Sequence, residues 1–543
     1  MKILFEGFVY PTEILADVLK NELLFNSKGD ATPFVGYFFD EESGDSVFIL
    51  PKVFVNKDNL AFEKYNPLEI IDLSIKDNPL KSSESFAQIF ELSVWLYKAI
   101  EKFNIRHPFN SVAKHKNIQN AVTHKGESSE TYLDVILSLL DFYKRNRNLL
   151  TFVYKNSHSG NSRVNWNKTF SMQTPILQGD KPIYTEICSK EKIVDFDEQL
   201  LVLFYSSLEF LRHNYNFKKV ECQGFNIIMP NRFKNFMASG KALNTLKKIR
   251  KNYFSDQFVK LWNLLYIFFE KSEQILNRRY RQELLLIKNF NEVFEDIIDC
   301  LIGDNDIPEG LKNQKDGKMI DHLYKNPSLT NSEYDIYFIG DSKYYKESTF
   351  LGENSIYKQF TYAKNVIQYN IDIFNQGKPN GTIRYRDPLT EGYDITPNFF
   401  IRGKVFDKSS NEVIVLDDTE HPINLHFENR LFDRDTLILQ TYDINFLMVL
   451  SAYVLNGEDN FRAIIRDKFR HNIIAYFNQR YDFYKVYPTE DLVDFVNQNF
   501  RKYIGKMFHD KDENFVWFAF EKGSADFSQI KGVCSKTETI LEV

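Results

Sequence analysis

The stretch from Phe34 to Phe39 is apolar except at Gly36, and Val47 to Leu50 is apolar throughout, with the turn-forming residues Asp40 to Asp45 between them. That pattern predicts a hairpin whose loop is longer than the commonest kind. Pro51 has no N–H to give a ladder and closes the second strand. From Ser85 to Phe103 the spacing changes: Phe86, Ile89, Phe90, Leu92, Trp95, Leu96 and Ile100 form one broad helical stripe. Helical periodicity returns at Tyr132 to Tyr143, Leu200 to His213 and Asp256 to Tyr280. Between the first two lies Ser157 to Thr169, which is polar, basic and broken by Gly160, and reads as an exposed loop or hairpin tip.

The stretch from about 285 to 370 carries candidate chemistry. Phe290, Phe294, Ile297, Ile298 and Leu301 make the buried face of an amphipathic helix, with Glu292 and Glu295 at its edge and Gly303 after its end. A short strand, Met319 to Tyr324, contains Asp321; a stronger one, Tyr334 to Tyr345, contains Asp341, Ser342 and Lys343. A helix with Gln359 and Tyr362 follows. Side chains alternate along a strand, so Asp341 and Lys343 share a face. At the end of an apolar strand such a pair costs desolvation energy unless the two serve each other or a ligand. One reading is a plain i,i+2 salt bridge. The other is a hard-cation site, with the Asp321 and Asp341 carboxylates and the Ser342 carbonyl as oxygen donors. Lys343 would then orient or deprotonate a water and offset charge on a phosphate.

Composition narrows the classes. Lys and Arg number 68 against 74 Asp and Glu, for a net charge of −6, which is not that of a protein that simply coats DNA. The four cysteines are far apart with no CxxC pair, which excludes a disulfide framework and a cysteine-rich zinc site. No apolar run approaches the ~18 residues of a membrane span, and Glu6 interrupts the N-terminal run too early for a signal peptide. We therefore expect a soluble, cytoplasmic protein without membrane contact. Locally, Lys241, Lys247, Lys248, Arg250 and Lys251, then Arg278, Arg279 and Arg281, interleave with Tyr253, Phe254 and Tyr280. These clusters are either solvated helix faces or a DNA-binding patch that tracks phosphates.

The order of a Glu-bearing helix, an Asp strand, a DxK strand and a Gln/Tyr helix resembles the PD-(D/E)xK core of restriction endonucleases and recombination nucleases. Here Ile320 stands in place of the usual proline, the acid of the DxK motif is Asp341, and Gln359 to Tyr362 is one residue shorter than a QxxxY pattern. Asn429 to Leu437, followed by Tyr442 to Leu447, resembles the C-terminal block of LlaJI-type restriction endonucleases. Arg163 to Thr169, with Pro182 to Tyr184, resembles a segment of McrC-like subunits. Read from its own residues, the Arg430 to Leu447 block suggests a salt-bridged turn feeding a buried helix from Ile444 to Val454; the other reading is that Arg430 or Arg434 reaches a phosphate or the other strands of the core.

The resemblance implies a subunit that cleaves foreign double-stranded DNA with Mg²⁺, or Mn²⁺ in its place, in a bacterial restriction system. Glu295, Asp321, Asp341, Lys343 and Gln359 would be the catalytic set, Glu292 the alternative helix acid, and Asp321, Asp341 and Ser342 the metal ligands. An McrB-like AAA+ GTPase is the expected partner; the chain has no GxxxxGK[ST] loop, so GTP would enter only through that partner. Arg163, Trp166 and Lys168 are the candidate partner contacts, and a homodimer would serve double-strand cleavage. The alternatives are a stand-alone sequence-specific nuclease, a nuclease for RNA or single strands, and a DNA-binding or GTPase-docking adaptor that does not cleave. The expected architecture is multidomain α+β and α/β: a β-rich domain at 1–104, a helical middle at 105–280, a mixed-sheet nuclease core at 281–455 and a helical/β extension at 456–543.

Overall fold

The computed structural model describes residues 1–19, 31–40, 45–73, 75, 78–81, 83–107, 132–147, 149–157, 163–215, 224–276, 282–308, 310–313, 319–330, 335–346, 352–375, 387, 389–406, 410–417, 423–425, 429–509, 513–538 and 541. The N-terminal layer comprises β1 (Lys2–Phe5), α1 (Thr12–Leu19), β2 (Val35–Asp40), β3 (Asp45–Leu50) and α2 (Ser83–Arg106). β2 and β3 form the antiparallel hairpin, and β1 runs parallel to β3. Alternate residues serve two cores. Ile3, Phe5, Tyr37, Phe39, Phe48 and Leu50 join the main core with Leu92, Leu96 and Ile100 of α2. Leu4, Phe38, Val47 and Ile49 pack with Leu15 and Leu19 of α1. Burial on both faces explains why these strands read as continuous apolar runs.

The middle region has its own core, built by α3 (Tyr132–Arg145) and four later helices. An insertion follows α3: β4 (Phe152–Ser157), β5 (Arg163–Val164), α4 (Trp166–Met172), β6 (Ile176–Gln178), β7 (Lys181–Ile183) and β8 (Ser189–Val194). It forms a three-stranded sheet in the order β4-β8-β5 and a β6–β7 hairpin. The helices α5 (Gln199–Tyr215), α6 (Pro230–Ala238), α7 (Lys241–Ile249) and α8 (Asp256–Leu276) complete the bundle. One feature differs from the sequence expectation of a mainly helical middle with an exposed basic hairpin: Trp166 and Lys168 lie on a helix rather than in a loop or hairpin tip. The Asn165 carbonyl starts that helix by accepting from the amides of Lys168 and Thr169, and the Thr169 hydroxyl ties it to Cys188. Polar residues that cap and bridge leave no apolar period to read.

β9 (Gln282–Ile287) then returns to β2, pairing Leu285 with Tyr37, so the first sheet runs β1-β3-β2-β9. The second sheet follows α9 (Phe290–Ile302) and uses β10 (His322–Pro327) and β11 (Asp335–Lys343). After α10 (Glu353–Asn375) it adds β12 (Asn398–Lys404), β13 (Ile414–Leu416), β14 (Ile423–Leu425) and β15 (Leu437–Asn445). Its order is β10-β11-β12-β15-β13, with β14 also on β15. β10 is antiparallel to β11, while β11, β12 and β15 are mutually parallel. Two boundaries move relative to the sequence expectation. The first acid strand begins at His322, leaving Asp321 just before it, and the strand β15 precedes the helix expected from Ile444. A short apolar run buried on both faces cannot be told from buried helix by periodicity alone.

The chain continues through α11 (Phe446–Leu455) and α12 (Asp459–Arg480), which close the main core over the second sheet. β16 (Tyr481–Pro488), α13 (Leu492–Asn499), β17 (Met507–Phe508), β18 (Val516–Glu521), α14 (Asp526–Ile530) and β19 (Cys534–Glu538) form the last unit, with strand order β17-β18-β16-β19. The protein is a multidomain mixed α/β chain. Among the described residues no helix is long and apolar enough to cross a membrane.

Candidate active site

In the β10–β11 ladder His322 pairs with Gly340, so one further step sets Asp321 across from Asp341. The Ser342 amide donates to Asp321 Oδ2 at 3.2 Å, which holds the first carboxyl against the second strand. Asp341 is only 4% exposed. Lys343 Nζ forms an ion pair with Asp341 Oδ2 and lies 5.1 Å from the centre of the Phe400 ring. Phe400 is the neighbour of Asp341 on β12. Apart from that ammonium, Asp341 Oδ2 is buried without a hydrogen-bonding partner. Burial, then the Asp341 charge and a hydrogen bond to it, push the Asp321 carboxyl up to about 9, and Glu295 adds to the shift. Burial beside a second carboxyl thus makes Asp321 hold its proton more tightly than an ordinary carboxylate does.

α9 supplies the third acid. Burial raises the Glu295 carboxyl; a hydrogen bond from Asn291 opposes this, Asp341 and Glu292 add to it, and Lys343 lowers it. Glu292 is also raised by burial, but its other influences are Asn289 and His107. Of the two helix acids, Glu295 is the one in the electrostatic company of Asp341 and Lys343. Gln359 is buried and donates to Asn398 Oδ1 at 2.6 Å, at the start of β12. Its amide therefore supports the sheet beside the acids. Sequence reasoning missed Lys358, whose charge is favoured first by a hydrogen bond with Tyr362 and further by Asp341 and Asp321. The i,i+4 spacing of Lys358 and Tyr362 was the available signal.

Among the described residues no group of three or more His, Cys, Asp or Glu side chains is placed to hold a metal ion. The donor set that fits is smaller: two adjoining carboxylates, with the buried Asp341 Oδ2 partnered by the Lys343 ammonium, and a main-chain carbonyl at Ser342. That suits Mg²⁺, which commonly takes one or two carboxylates and keeps water or phosphate for its remaining positions.

The candidate basic patch is divided. Lys247, Lys248 and Lys251 are exposed. Arg250 lies 5.3 Å from the Trp262 ring and donates to the Tyr253 carbonyl at 3.1 Å, so it is partly committed to packing. Arg278, Arg279 and Arg281 lie outside the described residues. The candidate partner contacts sit on the β4-to-β8 insertion. Arg163 is exposed, Lys168 half-buried, and Trp166 50% exposed, its ring 5.6 Å from Phe170. Phe152, Tyr154, Met172, Ile176 and Leu177 of the same insertion are also exposed. In the Arg430 block, Arg430 faces Asp433 at 4.0 Å and Asp435 pairs with Lys364 at 3.2 Å.

No protein-family model matches the chain, and no curated protein matches it. Among solved structures, one similar chain comes from the refined half-complex of a tetradecameric assembly of Thermococcus gammatolerans McrB AAA+ hexamers with bound McrC. It is 10% identical with a TM-score of 0.25, over 84% of this chain and 99% of that one. A likeness at that level assigns neither family nor site, and the functional reading rests on the residues.

Proposed function

We propose that the chain is a Mg²⁺-dependent DNA endonuclease subunit of a restriction system, built on a PD-(D/E)xK core of the LlaJI, McrC-like kind. The observation that carries this reading is the juxtaposition of Asp321, Asp341 and Lys343 at one end of two paired strands, with Glu295 in their electrostatic reach. Asp321, Asp341 and the Ser342 carbonyl would hold the cation. Once bound, it would supply Lewis acidity to the scissile phosphate and make a coordinated water more acidic. Lys343, anchored on Asp341, orients the attacking water and offsets the charge that grows on the phosphate oxygens. Glu295, whose affinity for protons is raised by burial, accepts the proton that the water releases. Water adds to phosphorus as the bond to the leaving oxygen breaks. Lys358 is a second cation beside the acids and can contact an adjacent phosphate.

Double-strand cleavage needs two such centres, which a homodimer supplies. The exposed aromatic surface of the β4-to-β8 insertion, with Arg163 and Lys168, is the proposed docking site for an McrB-like GTPase. Lys247, Lys248 and Lys251 are proposed DNA contacts. The deciding experiment incubates the purified chain with labelled duplex, single-stranded and RNA substrates, with and without Mg²⁺ and the GTPase. Asp341→Ala should abolish Mg²⁺-dependent duplex cleavage while DNA binding persists, and Lys343→Ala should lose at least about 100-fold, within the range for a group acting on the reacting proton. Full activity of the Asp341 variant, or cleavage restored by added Mg²⁺ alone, would remove the aspartate from a direct role.

A further inference from the structure

Behind the two aspartates runs a line of buried polar groups that the proposed reaction does not use. His322 is fully buried. Its Nε2 lies 2.5 Å from Ser342 Oγ and its Nδ1 3.4 Å from Asp299 Oδ1. Lys312 Nζ donates to both Asp299 oxygens at 2.6 Å. An ionised carboxylate can only accept, so Nδ1 carries the proton that faces Asp299. Nε2 and the Ser342 hydroxyl form the ring's other hydrogen bond.

The positions of these groups in the chain give the line its meaning. His322 directly follows Asp321, and Ser342 stands between Asp341 and Lys343. Alternation along the strands turns His322 and Ser342 to the face opposite the two acids. The ends of β10 and β11 are thus tied from both sides. The Ser342 amide reaches Asp321 on one side, and the Ser342 hydroxyl reaches His322 on the other. Two like charges brought together push apart when both ionise, so their spacing has to be imposed by side chains other than the two carboxylates. An acid–imidazole–hydroxyl line also resembles a nucleophile relay. Ser342 and His322 are both buried, however, and the hydroxyl is already spent on the ring.

We propose that His322, anchored by Asp299 and Lys312, is a positioning residue: through Ser342 it sets the spacing of Asp321 and Asp341 that a divalent cation requires. This rests on the metal-centre reading above. The test measures Mn²⁺ affinity of the full chain by electron paramagnetic resonance, without DNA, for the wild type and for Asp341→Ala, His322→Ala, His322→Gln and Ser342→Ala, with thermal midpoints alongside. Asp341→Ala should lose binding. His322→Ala and Ser342→Ala should each weaken it about 10- to 100-fold, and a variant carrying both His322→Ala and Ser342→Ala should be no weaker than either single one. His322→Gln, which restores a hydrogen-bonding partner for the Ser342 hydroxyl, should recover most of the affinity. If Asp341→Ala loses Mn²⁺ while the His322 and Ser342 variants bind as the wild type does, the positioning role is overturned and the metal centre stands. Equal weakness of His322→Ala and His322→Gln would also overturn it, because the ring would then serve only to fill space. A wild-type chain that binds no Mn²⁺ would remove the metal centre and this role together.

Discussion

Asp321 lies buried beside Asp341, and burial first, then the neighbouring carboxyl, raises its affinity for a proton. Burial and the neighbouring anion raise the Asp321 pKa from 3.8 to about 9, so between those values the metal-free folded chain binds more protons than the unfolded one. Its stability must therefore fall as pH rises through that window. Asp321→Asn removes the charge, and it should stabilise the metal-free protein by about 1–3 kcal/mol at about pH 8. The gain should vanish below the unfolded value. Urea denaturation at a series of pH values with a chelator present checks this; a constant difference between variant and wild type would rule out the raised Asp321 pKa. Lys343, held against Asp341, keeps part of the remaining charge neutral, which is why the site tolerates such burial at all.

At the scale of elements, two joints decide whether the layers meet. Gly36 has φ +138°, and a Cβ there would come within 2.1 Å of the Leu285 carbonyl oxygen on β9. Gly36→Ala should therefore part β2 from β9 and cost about 1–3 kcal/mol or more in chemical denaturation. Asp296 on α9 is the second joint. It accepts from Arg106 Nε at 3.1 Å and His107 Nε2 at 2.7 Å, at and just beyond the end of α2, and from the Tyr453 hydroxyl of α11 at 2.5 Å. Asp296→Ala leaves the buried Tyr453 hydroxyl unpaired, while the half-exposed Arg106 and His107 can turn to water, and should cost about 1–3 kcal/mol. A loss below about 1 kcal/mol would mean the three helices are held by their apolar contacts alone. Since α9 also carries Glu295, this joint fixes the angle at which the third acid approaches the strands.

Over the whole molecule, the surface is uneven in a way that suits a partner. The β4-to-β8 insertion exposes Tyr154 at 68% and Leu177 at 71%, beside Trp166 and Phe170. Such concentrated apolar exposure is what the proposed partner contact would cover. Charge reversal at Arg163 and Lys168 together should weaken association with the GTPase and GTP-dependent restriction, yet spare intrinsic nicking by the core. Undiminished pull-down by the double variant would take the segment out of the interface.

Elements with strong period were legible in the chain: the hairpin of β2 and β3, the long helices, α9, and a strand ending in Asp341 and Lys343 on one face. These follow from backbone geometry, which forces side chains to alternate every second residue in a strand and to recur every turn in a helix. Packing over distance was not legible. β9 closes a sheet begun at the N-terminus, and β15 is a central strand where the local pattern also allowed helix. The same holds at the site. Asp321 faces Asp341 because the ladder's register puts it there, and Glu295 rather than Glu292 shares the acids' field because of how α9 lies on the sheet. Gln359 turns to Asn398, Lys358 joins the acids, and His322 grips Ser342, all through contacts between segments far apart in sequence. The sequence by itself determined which residues could do chemistry and on which elements they ride. Only the tertiary structure decided which of them meet, because register and helix orientation depend on hydrogen bonds and packing summed over the whole core rather than on any local run of residues.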